Sequence, residues 1–111
     1  MNNLETAKQY MEIFYSGKNL NRLRNLFCDK LYFEGPFFQF TSANDYINSL
    51  EVSPPVNFKY KILHCYEDKN SVCLIYSFTK ADISTNMMQR FVFKNGKISE
   101  ILLIFDTSDF K

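Results

Sequence analysis

The most constraining feature of this chain is the pair Asn95-Gly96, which separates two apolar segments at residues 87–94 and 97–106. These two residue types adopt a positive φ at the lowest cost, and both central residues of a type I′ turn require one. The pair therefore predicts a tight β-hairpin. Because nearly every flanking position is apolar, we expect this hairpin to be covered on two sides.

Upstream of the hairpin, apolar residues three or four positions apart predict three helices. The first covers residues 4–15 and ends at Gly17, a residue suited to the left-handed conformation that follows a helix. The second begins at Asn19 and the third at Ser42, two residue types that favour helix N-caps. Asp45 stands at the reciprocal position of a capping box, so we expect it to complete the start of the third helix.

Alternating apolar and polar residues predict strands in most of the remaining chain. A short strand closes at Gly35-Pro36, and four more strands follow Pro55 in succession. The predicted strands cover residues 31–34, 58–66, 72–78, 87–93 and the segment after Gly96. The order helix, helix, strand, helix and four strands predicts a single α+β domain over residues 1–111, with the helices on one face of the sheet.

Charge and apolar runs argue against two classes of partner. The 13 basic and 12 acidic residues are mixed along the chain, so no basic patch for nucleic acid is predicted. The longest apolar run, residues 101–105, is too short to cross a membrane, and the first residues do not read as a leader segment. We therefore expect a cytoplasmic protein with neither a nucleic-acid nor a membrane partner.

The three cysteines predict neither a disulfide framework nor a zinc site. Cys28, Cys65 and Cys73 are an odd number and lack Cys-x-x-Cys spacing. We expect reduced and mostly buried thiols that behave as small apolar side chains. We also expect no metal and no cofactor.

Aromatic residues make up 17% of the chain, with 12 Phe and 7 Tyr, which is more ring area than a domain of this size needs for packing. Part of it is expected to line a cavity or a partner surface. The segment from Pro36 to Thr41 carries Phe37, Phe38 and Phe40 without a periodic pattern that would bury them. We expect this segment to form a lid or an interface.

The order of these elements and several short motifs within them resemble the nuclear transport factor 2-like (NTF2-like) superfamily, and within it the SnoaL-like proteins and the ketosteroid isomerases. The motifs are the helix end at residues 10–17, Leu26-Phe27 followed by Asp29, the strand end Phe33-Glu34-Gly35-Pro36, the helix at 42–50, and the segment 90–98. The resemblance implies a cystatin-like cone, in which three N-terminal helices pack on a strongly curved, mostly antiparallel sheet around a ligand pocket.

The resemblance also implies a homodimer, because the sheets of this superfamily commonly pair face to face. The last predicted strand agrees with this expectation. Ile101, Leu103 and Phe105 lie on one of its faces, and Leu102 and Ile104 lie on the other. A monomer would leave one of these apolar rows exposed, so we expect the second row to be buried between two copies.

The isomerase site is only partly matched. Tyr10 lies seven residues before the glycine that ends the first helix, as the oxyanion-hole tyrosine of the isomerases does. Gln89 stands at the position of their second oxyanion acid, and its amide can still donate a hydrogen bond. Gly35 stands where they carry the catalytic aspartate, and Glu34 is expected to point to the opposite face of the strand with Tyr32. Ketosteroid isomerase activity is therefore not expected.

Two residues remain candidates for catalysis. Asp106 lies near the end of the last strand, where polyketide cyclases of the superfamily carry an aspartate, and desolvation by apolar neighbours would raise its pKa. The alternative is an Asx turn that begins at this residue. His64 is expected on the aromatic face of its strand between Ile62 and Tyr66. There it either takes part in catalysis by pairing with Asp106 or Tyr10, or is a structural or interface histidine.

Three functions remain open at this point, since function on a shared fold resides in the site. The first is binding of a small apolar or amphipathic molecule in the pocket, and the second is an isomerase, dehydratase or cyclase reaction that uses Asp106 or His64. The third is a protein-interaction module of the nuclear transport factor kind. The residues expected to bind a ligand are Tyr10, Phe14, Phe33, Gly35, Phe37, Gln89 and Phe91.

Overall fold

The computed structural model describes residues 1–110. Two α-helices, one 3₁₀ helix and six strands are found in this part of the chain. They are α1 (Asn3–Ser16), the 3₁₀ helix (Leu20–Leu26), β1 (Phe27–Glu34), β2 (Gln39–Phe40), α2 (Ala43–Val52), β3 (Phe58–Glu67), β4 (Ser71–Lys80), β5 (Ile83–Lys94) and β6 (Lys97–Phe105).

The six strands form one curved sheet in the order β2-β1-β6-β5-β4-β3. Neighbouring strands run antiparallel, except that β1 and β6 are parallel. The helices cover one face, here called the inner face, and the side chains that alternate towards it are buried in β4 and β5. The predicted α+β fold, with three helical segments on one face of a mostly antiparallel curved sheet, is confirmed.

The hairpin predicted at Asn95-Gly96 is present. The two residues have φ values of 53° and 78°, as a type I′ turn requires, and Lys94 pairs with Lys97 across the two-residue loop. The expectation that both faces of this hairpin are covered is wrong for the single chain. Ile104 on the outer face is 50% exposed, because the described helices pack only on the inner side.

Three predictions about the helices need correction. Asn19 has φ 50° and makes no side-chain capping bond, so it is not an N-cap of the expected kind, and the segment that follows is a 3₁₀ helix. Ser42 accepts a hydrogen bond from the backbone N–H of Asp45, but the reciprocal bond of a capping box is not described. A complete capping box lies instead at Asn2 and Glu5, at the start of α1.

The first strand is longer than predicted. It begins at Phe27, which pairs with Ile98 of β6, whereas the sequence placed its start at Leu31. Phe27 continues the apolar spacing of the preceding helix, so its position in the sequence does not distinguish the two elements. Pairing with the distant strand β6 determines the boundary.

The cysteines are less buried than expected. All three are free, and Cys65 is exposed while Cys28 and Cys73 are half-buried. Cys65 follows a bulge in the edge strand β3, and residues 63–67 around it are all exposed. No helix of residues 1–110 has both the length and the apolar character needed to cross a bilayer.

Candidate functional site

A group of four polar side chains lies inside the apolar core and is here called the tyrosine cluster. It consists of Tyr10 from α1, Tyr46 from α2, Tyr76 from β4 and Gln89 from β5, none of which is more than 3% exposed. The hydroxyl oxygens of Tyr10 and Tyr46 are 2.5 Å apart, and the Tyr76 hydroxyl donates to Oε1 of Gln89 at 2.8 Å. The cluster joins both α-helices to the two central strands of the sheet.

The local patterns of α1 and β5 explain why Tyr10 and Gln89 point inward. Tyr10 shares the buried face of α1 with Ala7 and Met11. Gln89 lies between Met87 and Phe91 on the inner face of β5, since residues two apart in a strand share a face. Both side chains are buried on the inner side of the sheet. Their role in binding a ligand stays a prediction.

The sequence patterns predict the burial of two further members of the tyrosine cluster but not the hydrogen bonds that their hydroxyls make. Tyr46 belongs to the buried stripe of α2, and Tyr76 lies on the same face of β4 as the other buried residues of that strand. Both patterns predict burial of the ring. Neither pattern shows that the hydroxyl meets a partner from another element, although the need of a buried tyrosine for such a partner was a usable signal.

Burial keeps these tyrosines in the neutral, hydrogen-bond-donating form. It raises the pKa of Tyr10 to about 12, although hydrogen bonds with Tyr46 and Gln89 oppose part of the shift. Burial also raises the pKa of Tyr46 and Tyr76 well above the ordinary value, and raises that of the neighbouring Tyr15. The cluster can therefore donate hydrogen bonds at neutral pH, but none of its groups can act as a carboxylate-like base.

Most of the aromatic residues predicted to bind a ligand surround the tyrosine cluster. The ring of Phe14 stacks on Tyr10 with a centroid distance of 5.9 Å, and Phe91 meets the same ring edge-on at 5.2 Å. Phe33 stacks on Tyr46 at 4.7 Å. Phe37 does not join this group, because it lies in the loop after β1 and is 51% exposed.

The tyrosine cluster lies among buried core residues, and the two cavities described for this chain lie at the surface. One cavity of about 490 Å³ is lined by Tyr15, Phe58 and Tyr60, together with Glu12, Ser16 and Lys59. Tyr15 connects it to the cluster, since its ring lies edge-on to Tyr76 at 6.2 Å. A second cavity of about 650 Å³ lies by the 3₁₀ helix and has a polar lining that includes Arg22 and Arg24.

The surroundings of Gly35 agree with its expected orientation. A Cβ atom at this position would lie 3.2 Å from Cε1 of Phe33 and 3.7 Å from Cβ of Leu103, which both belong to the inner side. Its φ is not positive, so the backbone does not require glycine here. Glu34 lies on the opposite side and accepts a hydrogen bond from the Tyr32 hydroxyl at 2.8 Å, so it does not replace the missing aspartate.

The predicted position of His64 is wrong. The register of β3 against β4 shifts between Ile62 and His64, so Leu63 is an extra residue in the strand. His64 therefore pairs with Ile75, a residue of the outer face, and is exposed and stacked on Tyr66. A bulge of one residue exchanges the two faces of a strand, and the alternating sequence pattern does not reveal it.

The predicted environment of Asp106 is also wrong. Its carboxylate is exposed and accepts a hydrogen bond from the backbone N–H of Ser108 at 3.0 Å. The hydrogen bonds with Ser108 lower the pKa of this carboxyl, whereas the proposed desolvation would have raised it. The Asx turn, which was the alternative, is the observed arrangement.

Among residues 1–110, no group of three or more metal-ligating side chains is placed to hold an ion.

Comparisons with known proteins establish the fold. No family model matches the sequence, and no curated protein matches it significantly. An NTF2-like protein of unknown function from Cytophaga hutchinsonii superposes with a TM-score of 0.85 over 99% of this chain and 95% of its own, at 19% identity. This chain has the NTF2-like fold.

Other proteins with the NTF2-like fold differ in the activity proposed for them. A proposed SnoaL-like polyketide cyclase from Jannaschia sp. CCS1 has a TM-score of 0.83 at 11% identity, covering 97% of this chain and 88% of its own. A proposed ketosteroid isomerase from Kribbella flavida has a TM-score of 0.71 at 14% identity, covering 92% and 78%. At these identities the comparisons show a shared fold, and the function must be argued from the site.

Proposed function

We propose that this NTF2-like chain binds a small apolar or amphipathic molecule and that the tyrosine cluster holds the polar end of that molecule. The observation that carries this proposal is the buried pair Tyr10 and Tyr46. In a hydrogen bond between two hydroxyls only one donates, so the second hydroxyl hydrogen is available to an acceptor oxygen such as a carbonyl. A few convergent polar groups among apolar and aromatic side chains are typical of ligand sites.

The surface cavity beside Tyr15 supports this proposal as a route to the cluster. Its walls combine the rings of Phe58 and Tyr60 with the charged residues Glu12 and Lys59, a composition that suits an amphipathic molecule. The rings of Tyr15 and Tyr60, which both line this cavity, lie edge-on to Tyr76 at 6.2 and 6.3 Å. Binding would therefore require side chains in this wall to move, a kind of change that is common on binding.

The groups described here do not favour an isomerase, dehydratase or cyclase reaction. Proton abstraction needs a base within hydrogen-bond reach of the substrate carbon. Gly35 supplies no carboxylate on the inner face, while His64 and Asp106 are both exposed. We therefore assign the site a binding role and no reaction.

The binding proposal is tested with prodan, a naphthalene ketone whose emission shifts to the blue when it leaves water. We expect saturable binding to the wild-type chain. Tyr10→Phe keeps the ring but removes the hydroxyl that holds the Tyr46 hydroxyl in place, so the hydrogen offered to the ligand is no longer oriented by a partner. It should weaken binding roughly 3- to 10-fold, the usual effect of one hydrogen bond. Tyr66→Phe is the matched control, because Tyr66 is 59% exposed and lies on the outer face.

Two results would contradict the binding proposal. One is the absence of saturable prodan binding to the folded wild-type chain. The other is an equal loss of affinity in Tyr10→Phe and Tyr66→Phe, since only the first hydroxyl belongs to the tyrosine cluster. Thermal unfolding of each variant verifies that the protein is folded under the conditions of the titration.

We also propose that two copies associate through the outer face of the sheet. The strand register places Ile104, Met88 and Ile75 side by side on this face, and Leu102 lies next to them. Ile104 is 50% exposed in the single chain. A contiguous apolar row on an otherwise polar surface is typical of an interface between subunits.

Sedimentation at micromolar concentration tests the association. We expect a species of twice 13.2 kDa for the wild-type chain and a monomer for Ile104→Lys, because a charge buried at such an interface lacks a partner. Val52→Lys is the control, since Val52 is 86% exposed on α2. A wild-type chain that sediments at 13.2 kDa would exclude the dimer.

A further inference from the structure

The segment after β6 folds back on the sheet and places the ring of Phe110 among other aromatic rings. The centroid of this ring lies 4.9 Å from that of Phe105, 5.9 Å from Phe78 and 6.1 Å from Phe37. We call the surface formed by these three residues the aromatic recess. Phe105 and Phe78 belong to the inner faces of β6 and β4, and Phe37 reaches them from the loop after β1.

The hydrogen bonds described for the segment that carries Phe110 are local. The N–H of Ser108 donates to Asp106, and the N–H of Phe110 donates to the carbonyl of Thr107 at 3.0 Å. Both bonds shape the turn and neither ties it to a helix or to another strand. The contacts described between Phe110 and the rest of the molecule are therefore those of its ring.

The aromatic recess has the geometry of a site for a flat ring. Phe110 meets its three neighbours at interplanar angles of 60°, 42° and 60°, all tilted arrangements of the kind that aromatic pairs favour. Phe78 also contacts Phe58, with centroids 5.3 Å apart, and Phe58 lines the cavity of about 490 Å³. The recess and that cavity thus adjoin through these two rings.

We propose that the aromatic recess binds the aromatic end of a ligand and that Phe110 occupies the recess while the ligand is absent. This inference rests on the proposed function and specifies its ligand as a molecule with a flat aromatic ring. The ring of Phe110 takes the place of the ligand ring, and the ligand displaces it. Because the hydrogen bonds described for residues 106–110 are local, this segment can leave without breaking the sheet.

The inference predicts that removing the competing ring strengthens binding. The probe is N-phenyl-1-naphthylamine, a neutral aromatic compound that fluoresces in apolar surroundings. Phe110→Ala should bind it roughly tenfold more tightly than the wild-type chain. In the wild-type chain Phe110 occupies the recess in most molecules, and the apparent affinity for the probe falls in proportion to the fraction of molecules whose recess is free. Phe38→Ala should bind like wild type, since Phe38 is 65% exposed and contacts Phe37 and Phe40.

A double variant locates the effect in the recess. Phe37→Ala combined with Phe110→Ala removes one wall as well as the competitor, so most of the gain in affinity should be lost. Phe110→Leu keeps an apolar side chain without a ring and should give a smaller gain than Phe110→Ala. If Phe110→Ala binds several probe molecules and loses its near-ultraviolet circular dichroism, the gain reflects loosened packing and the inference is wrong.

Failure of this inference and failure of the proposed function give different results. Equal affinity of the naphthylamine for the wild-type chain and Phe110→Ala overturns the role of Phe110. If prodan still binds in that case and Tyr10→Phe still weakens it, the proposed function stands. If neither probe binds either variant, both proposals are wrong.

Discussion

Alkaline solution is expected to unfold this protein over the pH range in which its buried tyrosines ionise. In the unfolded chain a tyrosine loses its proton near pH ~10. Burial raises the pKa of Tyr10 to about 12, and raises those of Tyr15, Tyr46 and Tyr76 as well. A raised pKa in the folded state means that the contribution to stability is fully present below pH ~10 and is lost as the pH rises towards the folded-state value.

The expected effect is large because several groups act together. Each raised tyrosine lowers the free energy of unfolding by about 1.4 kcal/mol per pH unit above pH ~10. Four such groups together remove roughly 4–6 kcal/mol per unit, comparable with the total stability of a small domain. We therefore expect cooperative unfolding between about pH 11 and pH 12, in which tyrosinate absorbance and far-ultraviolet circular dichroism change together.

Two single-atom changes distinguish this prediction from ordinary alkaline denaturation. Tyr46→Phe removes one buried hydroxyl, so its stability should fall less steeply with pH than that of the wild-type chain. Tyr66→Phe removes an exposed hydroxyl outside the tyrosine cluster and is the matched control. Gradual ionisation of every tyrosine near pH ~10 with the circular dichroism retained would show that the tyrosine cluster is accessible to water.

Replacing Gly17 by alanine is expected to be the most destabilising single substitution at a glycine in this chain. Gly17 ends α1 with φ +65°, in the left-handed region, and its N–H donates to the carbonyl of Phe14. An added Cβ atom would clash with the carbonyl oxygen of Pro55. Because this neighbour is backbone, the connection between α2 and β3 would have to move.

The variant Gly96→Ala provides the matched control for this substitution. Gly96 also has a positive φ, +78°, but nothing lies within 4 Å of an added Cβ atom. Gly96→Ala should lower the free energy of unfolding by only about 1–2 kcal/mol, the cost of a positive φ for alanine. Gly17→Ala should lower it by at least ~3 kcal/mol. Urea unfolding measures both, and equal losses would show that the Pro55 contact relaxes freely.

Local rules account for what the sequence predicts correctly. The turn at Asn95-Gly96 depends on two φ angles, and the inward positions of Tyr10 and Gln89 depend on helical and strand periodicity. These are properties of short segments, so a pattern in one segment is sufficient to predict them. The helical end at Gly17 follows the same logic.

The predictions that were wrong depended on distant contacts. The bulge at Leu63 turns His64 outward and arises from the register with β4, and the early start of β1 arises from pairing with β6. The Tyr10–Tyr46 hydrogen bond joins residues 36 positions apart. The periodicity of one segment does not predict a contact between side chains of two distant segments. The tyrosine cluster is therefore visible only in the structure.

The bulge at Leu63 also affects how the sheet meets other chains along its margins. β3 is the last strand on one side, and an added strand would need evenly spaced N–H and C=O groups over its ten residues. The extra residue interrupts that spacing near the middle of the strand. β2, at the other margin, has only two residues. Both edge strands are thus poor templates for the addition of strands from other chains into a fibre, although the chain is rich in β-structure.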